Sequence, residues 1–234
     1  MAANAIKRII NKDLKEIQKM DLQGSGIHVQ FNEENMLEAK AIIIGPKDTP
    51  FENGILYFSI EFPKNYPFSP PKVSYISHSR YRIHPNLYVG KSQDNFKGKV
   101  CLSIINTWSG PKWTTVMHLG SVLLSIQSLL DKNPLRNEPG FEKETGVRND
   151  TYNQVVEYDT IQHLILNNGV KIHSDFLVFE GCIQEHIQKE KETIQKKLED
   201  LILKYPKEIK ISLNIYNISM IINYKKLLKK INLI

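Results

Sequence analysis

The chain of 234 residues contains two cysteines, Cys101 and Cys182, and so few cysteines make a disulfide scaffold implausible. In a reducing compartment a cysteine is either a small buried hydrophobe or a reactive thiol, and its neighbours decide which. Cys182 lies in an amphipathic helical stretch and is interpreted as a residue without a catalytic role. Cys101 lies in a segment, residues 77–113, that has no regular apolar periodicity and is predicted to be a long loop. Because such loops are usually functional, Cys101 is the candidate nucleophile.

Three further motifs precede the VCLSI segment at residues 100–104. They are GPKDTPFENG at 45–54, FPKNYPFSPP at 62–71 and HPN at 84–86. The second motif has the PxxP spacing of a proline-rich ligand, although its flanking strands favour a stiff structural loop. The HPN motif alone could simply be a turn. The joint order of the motifs argues against coincidence.

The elements around these motifs follow from apolar periodicity. Residues 3–20 are predicted to form an amphipathic helix with Ile6, Ile10, Leu14 and Ile17 on one face. Four strands are predicted at residues 27–31, 37–44, 55–62 and 73–76. The fold class is therefore α+β, with a four-stranded antiparallel meander, a helix on one face and a long loop.

The second half of the chain is predicted to be helical. Thr114 or Thr115 can cap a helix that Pro134 stops, and a second helix is expected from about Asp150 to Leu166. Beyond Gly169, residues 175–204 and 215–232 have the pattern of a long charged helix and a shorter one.

Composition limits the class of partner. The formal charge is +6, and residues 171–234 hold 12 Lys and Arg against 8 Asp and Glu, which is +4 of that total. Because this positive charge is spread thinly, the basic residues are interpreted as solvated helix faces and not as a nucleic-acid-binding patch. The N-terminus has no apolar signal region, and no stretch approaches the roughly 18 apolar residues of a spanning helix. We therefore expect a soluble protein of the cytoplasm, the nucleus or both, with no membrane partner.

The combined motifs resemble the ubiquitin-conjugating enzyme family over about residues 3–166. Three segments are most similar to the subgroup of ubiquitin-conjugating enzyme Z: WSGPKW at 108–113, SIQSLL at 125–130 and NPLRNEPGFE at 133–142. The resemblance implies a UBC core domain over residues 1–168, followed by a C-terminal helical extension over residues 169–234.

The resemblance also implies a chemistry. The family accepts ubiquitin, or a ubiquitin-like protein, from an activating enzyme as a cysteine thioester and donates it to a substrate lysine, usually with a ligase. Cys101 matches the cysteine, and a thiol suits the role because its thiolate is both a strong nucleophile and a good leaving group. No metal or bound cofactor is implied, since the activating enzyme consumes the ATP.

Asn86 matches the asparagine of the family motif. When an amine attacks a thioester, a tetrahedral intermediate with a negatively charged oxygen forms. The Asn86 amide could stabilise this oxyanion, or it could hold the active-site loop in place, and the sequence leaves both roles open. By resemblance His84 supports the loop through hydrogen bonds more often than it acts as a base, and Pro85 fixes the backbone.

The sequence departs from the family pattern in two places. Fourteen residues, 87–100, separate Asn86 from Cys101, a longer spacing than in many members, and the surplus around Gly90 to Gly98 is expected to be a surface excursion. After Asn133-Pro134, common members carry an Asp or Ser that orients the incoming lysine, and the candidates to replace it here are Asn137 and Glu138.

Partner surfaces are also implied by the resemblance. Lys7 and Arg8 on the first helix would meet the activating enzyme, and Phe62 with Pro111 would meet ubiquitin ligases. The alternatives are solvent exposure for the basic residues and a core position for Phe62.

Two other functions compete with this interpretation. One is a non-catalytic ubiquitin-binding scaffold of the same fold, which the intact cysteine motif argues against. The other is a cysteine protease using Cys101 and His84, which the proline beside His84 and the order of elements do not favour.

Overall fold

The N-terminal helix α1 begins at Ala2 and ends at Lys19 in the computed structural model, which describes residues 2–77, 79–90 and 97–232. It consists of α-helical Ala2–Arg8, a π-helical turn Ile9–Asp13 and α-helical Leu14–Lys19. Ala5, Ile9 and Asp13 are buried, whereas Ile10 is 45% exposed. The predicted apolar face is therefore wrong at Ile10, because the wider π turn keeps residues spaced four apart on the inside.

The chain folds as two compact units. The first comprises Met1–Ile44, Leu56–Ser77 and Asn86–Leu130, and the second comprises Gly45–Ile55, His78–Pro85 and Asp131–Ile234. The proposed boundary between a core and an extension at residue 168 is a separate question and stays a prediction.

An antiparallel meander forms the sheet, as predicted. The strands are β1 (Ile27–Phe31), β2 (Glu38–Ile44), β3 (Ile55–Glu61), β4 (Lys72–Ile76) and β5 (Lys97–Lys99), in the order β1-β2-β3-β4-β5. The sequence did not predict β5, because Lys-Gly-Lys carries no apolar alternation. Gly98 is required there, since a Cβ atom would lie 1.5 Å from the Tyr88 carbonyl oxygen.

A buried carboxylate joins three segments of the first unit. Asp13 accepts hydrogen bonds from the Tyr66 hydroxyl at 2.6 Å, the Leu119 N–H at 2.7 Å and the Arg8 guanidinium at 2.9 Å. Burial raises the pKa of Asp13, and these donors oppose that shift. Asp13 thereby fixes α1 against the start of the next helix, α2 (Leu119–Leu129).

Helix α2 begins later than predicted. His118, and not Thr114 or Thr115, is its N-cap, and it forms a capping box with Ser121. The prediction failed because histidine is an uncommon cap, whereas threonine is a preferred one.

The second unit is largely helical. Helix α3 (Val147–Asp159) continues as π-helical Thr160–Leu166 and α-helical Asn167–Val170. A 3-10 turn, Ser174–Phe179, leads into helix α4 (Glu180–Lys204). Lys197 of α4 bridges Glu157 of α3 at 3.0 Å and Glu52 at 3.4 Å, and its side chain is only 31% exposed. This shielded ion pair fixes α4 against α3.

The prediction of a single helix over residues 215–232 is wrong. The chain forms a hairpin of β6 (Ile209–Leu213) and β7 (Ile218–Ile222), and only α5 (Tyr224–Ile231) is helical. Alternate residues of β7 are buried, and isoleucine favours strands. The turn contains the 3-10 segment Ile215–Asn217, in which Tyr216 and Asn217 have positive φ.

Asp159, at the end of α3, is a buried carboxyl side chain that has one hydroxyl donor among the residues that the structure describes. Its Oδ1 atom accepts a hydrogen bond from the Ser79 hydroxyl at 2.7 Å, and His163 Nε2 lies 3.7 Å from that oxygen. Burial raises the pKa of Asp159 to about 7, although the Ser79 hydrogen bond opposes the shift. Between about pH 4 and pH 7, Asp159 is therefore protonated in the folded state and deprotonated in the unfolded state.

This proton makes the stability of the protein fall as pH rises through that window. We predict that Asp159→Asn removes this part of the pH dependence, which amounts to roughly 4 kcal/mol. Urea unfolding of both proteins between pH 4 and pH 8 measures the difference, in which titrating groups that do not interact with Asp159 cancel. Parallel stability curves for the two proteins would show that Asp159 does not retain the proton.

Candidate active site

Cys101 and Asn86 are joined by two reciprocal hydrogen bonds in the first unit. The Cys101 N–H donates to the Asn86 carbonyl at 2.8 Å, and the Asn86 side-chain amide donates to the Cys101 carbonyl at 2.7 Å. Both residues are buried. The motif asparagine and the candidate nucleophile are therefore direct neighbours, although fourteen residues separate them in the chain.

The backbone around this pair continues a short antiparallel ladder. Leu87 and Val100 form a β-bridge, and the Tyr88 N–H donates to the Lys99 carbonyl at 3.0 Å. The two ends of the long spacing are thus held together. The expected surface excursion itself falls largely on residues 91–96, which lie outside the described residues.

Thr107 is a support of Cys101 that the sequence analysis missed. Its hydroxyl donates to the Val100 carbonyl at 2.7 Å and accepts from the Leu102 N–H at 2.9 Å. One side chain therefore holds the backbone on both sides of Cys101. A Ser or Thr a few residues beyond a turn carries no distinctive sequence signal, so only the structure could assign it.

The Cys101 residue is 1% exposed. A thiol acts as a nucleophile only where the electrophile can reach it. Reaction at Cys101 therefore requires the thiol to become more accessible than it is in this conformation.

His84 and Pro85 belong to the second unit, and the chain passes directly from Pro85 to Asn86. His84 is buried, and its ring centroid lies 5.9 Å from that of Phe51. The Pro85 carbonyl accepts a hydrogen bond from the Arg82 guanidinium. These contacts fit a supporting role for both residues.

Asn137 and Glu138 also belong to the second unit, in and directly after the 3-10 turn Pro134–Asn137. The Asn137 amide donates to the Pro134 carbonyl at 3.3 Å. The Glu138 carboxylate accepts a hydrogen bond from the Tyr216 hydroxyl and lies 3.8 Å from the Arg82 guanidinium. Neither contact by itself assigns an acceptor-side role.

The predicted partner residues differ in exposure. Lys7 and Pro111 are exposed, but the Arg8 side chain is 16% exposed and binds Asp13 and the Met117 carbonyl. Phe62 is 5% exposed and packs between Phe31 and Tyr66, with ring centroids 6.0 Å and 4.9 Å away. The structure thus places Phe62 in the core, which is the alternative that the sequence left open.

Phe68 is the exposed aromatic residue of the same motif, with 80% of its surface accessible. The carbonyl of the preceding Pro67 accepts a hydrogen bond from Trp113 Nε1 at 2.6 Å, which holds residues 67–68 beside the segment that follows Pro111. The exposure of Phe68 could not be predicted from the sequence, because the residue lies immediately after a proline in a loop, where no strand alternation shows which way a side chain faces.

Cys182 is half-buried in α4, and its Sγ atom lies 3.1 Å from the Phe179 carbonyl. Burial raises the pKa of the Cys182 thiol, which lowers its thiolate fraction at neutral pH. Across residues 2–77, 79–90 and 97–232, no group of three His, Cys, Asp or Glu side chains could hold a metal ion. No helix in these ranges is long and apolar enough to cross a membrane.

A comparison with families of known proteins identifies the family to which this chain belongs. The sequence model described as ubiquitin-conjugating enzyme matches residues 9–161, well over half of the chain. The chain belongs to the ubiquitin-conjugating enzyme family, a family of transferases in the ubiquitin conjugation pathway. The predicted α+β UBC fold is confirmed.

Relatives within the family are consistent with the predicted subgroup. "Ubiquitin-conjugating enzyme E2 Z" of Danio rerio is 39% identical over 156 residues, which are 65% of this chain and 45% of that protein. The protein of the same name from Homo sapiens is 38% identical over 156 residues, 65% of this chain and 42% of that protein. The chain thus spans less than half the length of these two relatives.

A third relative matches more of the chain. "Probable ubiquitin-conjugating enzyme protein 17" of Caenorhabditis elegans is 36% identical over 200 residues, which are 81% of this chain and 26% of that protein. A match of this length is longer than residues 1–168, so it includes part of the segment beyond the proposed core.

The Thr107 hydroxyl should contribute measurably to stability beside Cys101. Replacing it in Thr107→Val leaves the Leu102 N–H and the Val100 carbonyl without this partner, so we expect the free energy of unfolding to fall by about 1–3 kcal/mol. Urea denaturation measures the loss. Thr107→Ser keeps the hydroxyl and should lose clearly less, and equal losses for the two variants would contradict the assignment.

Proposed function

We propose that this protein is a ubiquitin-conjugating enzyme that carries ubiquitin, or a ubiquitin-like protein, as a thioester on Cys101 and passes it to a substrate lysine. The observation that supports this most is the direct pairing of Cys101 with Asn86 in a chain of this family. The names of the relatives support the general activity. The partners are ubiquitin, an activating enzyme, a ligase and protein substrates.

The chemistry proceeds by two acyl transfers. The Cys101 thiolate attacks the ubiquitin thioester on the activating enzyme, a new thioester bond forms, and the thiolate of the activating enzyme leaves. A lysine amine then attacks the Cys101 thioester, an amide bond forms, the Cys101 thiolate leaves and the amine nitrogen loses a proton. No bound cofactor is required, because ATP is consumed earlier by the activating enzyme.

Asn86 acts first as a support. Its amide is engaged by the Cys101 carbonyl at 2.7 Å in this conformation, which favours pinning of the loop. To stabilise an oxyanion, the same amide would have to exchange this acceptor for the developing negative charge. Such a donor can lower a barrier by a few kcal/mol, so we propose that Asn86 performs both roles in turn.

The residues around Asn86 have supporting roles in this proposal. His84 packs inside the second unit, and Pro85 fixes the backbone that leads to Asn86. Asn137 and Glu138 remain the candidates for the acceptor side, where a lysine must be oriented and deprotonated. Lys7, with Arg8 beside it on α1, is proposed to meet the activating enzyme.

We further propose a UBC core over residues 1–168 and an extension over residues 169–234. The protein would act in the cytoplasm, the nucleus or both, because a carrier thiol must stay reduced. The alternative function is a non-catalytic scaffold that binds ubiquitin through the same fold, without a thioester.

A charging assay separates these functions. Incubation with activating enzyme, ATP and ubiquitin should give an adduct that is visible on a non-reducing gel and is removed by thiol. Cys101→Ser should give an adduct that thiol does not remove, because an oxygen ester replaces the thioester. The gel mobility and thiol sensitivity of the adduct are the measurements.

Cys182→Ser is the matched control and should charge like the wild type. A wild-type protein that forms no adduct with active enzymes, with ubiquitin and ubiquitin-like proteins tested in parallel, would exclude the carrier function. Ubiquitin binding without an adduct would favour the scaffold, and cleavage of ubiquitin conjugates would favour a protease.

The ligase surface is proposed to centre on Phe68 and Pro111. Both are exposed, and the Trp113 to Pro67 hydrogen bond ties their two segments together. Exposed aromatic side chains are enriched among the residues that dominate protein interfaces. Phe62, which the resemblance first suggested, would then act only by packing beneath this surface.

We expect Phe68→Ala to reduce ligase-stimulated discharge at least about tenfold while charging and thermal stability stay unchanged, because the side chain is largely in solvent. Discharge of the thioester is measured with and without a ubiquitin ligase that stimulates the wild type. Phe62→Ala should instead lower the free energy of unfolding by about 3–5 kcal/mol. Full ligase stimulation of a folded Phe68→Ala protein would refute this surface.

A further inference from the structure

The turn of the C-terminal hairpin carries a tyrosine that contacts two charged residues of the second unit. The Tyr216 hydroxyl donates a hydrogen bond to the Glu138 carboxylate, and the Arg82 guanidinium lies over the Tyr216 ring at 4.5 Å from its centroid. Arg82 and Glu138 also approach each other to 3.8 Å. Tyr216 therefore contacts a cation through its ring and an anion through its hydroxyl.

Arg82, which contacts Tyr216, also binds the backbone of the active-site motif. Its guanidinium donates to the carbonyl of Pro85, the residue that is covalently joined to Asn86. Tyr152 of α3 donates its hydroxyl to the Arg82 carbonyl at 2.9 Å, and its ring lies 6.1 Å from that of Tyr216. The backbone and the side chain of Arg82 are thus both held.

A second bond ties the hairpin to the same stretch of chain. The Tyr81 hydroxyl donates to the Ser219 carbonyl of β7 at 2.5 Å. Two consecutive residues, Tyr81 and Arg82, therefore contact the hairpin immediately before the His84-Pro85-Asn86 motif. A surface turn that served only to reverse the chain would not need either contact.

The backbone conformation of Tyr216 also indicates that its side-chain contacts matter. Its φ of 56° lies in the left-handed region, which aromatic residues rarely adopt. Asn and Gly adopt this region more readily and are the usual residues of such turns. A tyrosine at this position disfavours the turn and is compensated by contacts of its side chain.

We propose that Tyr216 is a positioning residue for the transfer reaction. It holds Arg82, Arg82 holds the Pro85 carbonyl, and this chain of contacts restrains the backbone that presents Asn86. The C-terminal extension would then serve the chemistry of the core from within the same molecule. The inference rests on the proposed function, since a position for Asn86 matters only if Cys101 carries an acyl group.

Glu138 gains a specific role from this arrangement. Its carboxylate accepts from Tyr216 and faces Arg82, so it anchors the contact chain. Of the two candidates for the acceptor side, Asn137 is then the one that the Tyr216 contact leaves available.

The test uses single-turnover discharge of a preformed Cys101 thioester to free lysine, over a range of lysine concentrations. Tyr216→Asn keeps a residue that suits the turn but removes the ring and the hydroxyl, so we expect the maximal discharge rate to fall about tenfold. Charging by the activating enzyme, the lysine concentration at half-maximal rate and the thermal midpoint should change little. Tyr216→Phe keeps the ring over Arg82 and should give an intermediate rate.

Tyr205→Phe is the matched control, since it removes a hydroxyl from the same extension outside this cluster. Arg82→Gln should slow discharge as Tyr216→Asn does, and the double variant should be no slower than the slower single one if the two residues act in one chain. Wild-type discharge by Tyr216→Asn, faster discharge, or equal loss of charging, discharge and thermal stability would each overturn the inference. A wild type that never charges would instead overturn the proposed function.

Discussion

The two hydrogen bonds between Asn86 and Cys101 are the constraint on which the rest of the site depends. They align the two backbones, and each uses a buried group that would cost free energy if it lost its partner. The Leu87 to Val100 bridge extends the alignment in one direction. Thr107 fixes the chain on the far side of Cys101. A long spacing between asparagine and cysteine is tolerated because its two ends are paired, and loop closure depends only weakly on length.

Among the described residues, each compact unit contains one buried carboxyl side chain, and the two are stabilised differently. Asp13 accepts three hydrogen bonds, one from a guanidinium, and these donors favour its charged form. Asp159 receives one hydroxyl donor, and its pKa is raised to about 7. A well-satisfied carboxylate can join α1 to α2 at neutral pH, whereas a poorly satisfied one makes stability depend on protonation. Burial of a carboxyl side chain thus stabilises the packing of two helices in one unit and makes stability pH-dependent in the other.

The sequence predicted what local chemistry determines and missed what depends on distant contacts. Cys101 and Asn86 could be proposed as site residues because their motifs are short and ordered along the chain. Phe62 and Phe68 could not be distinguished by motif, because both lie beside a proline and only packing shows that the first is buried. Strand β7 was predicted to be part of a helix because its apolar residues also fit a helical pattern over such a short run. Tyr216 had no signal at all, since Glu138 precedes it by 78 residues.

The burial of Cys101 sets a final requirement on how the thiol becomes reachable. Its main chain is held on both sides, by Asn86 and by the Thr107 hydroxyl, so moving the backbone would break several buried hydrogen bonds at about 1–3 kcal/mol each. Rotation of the side chain about χ1 breaks none of these bonds and moves only one sulfur atom between staggered positions. Exposure of the thiol is therefore expected to come from the cysteine side chain and the side chains that cover it. A rigid backbone that carries a rotatable thiol would keep Asn86 in register with the carbonyl of Cys101 throughout the proposed acyl transfer.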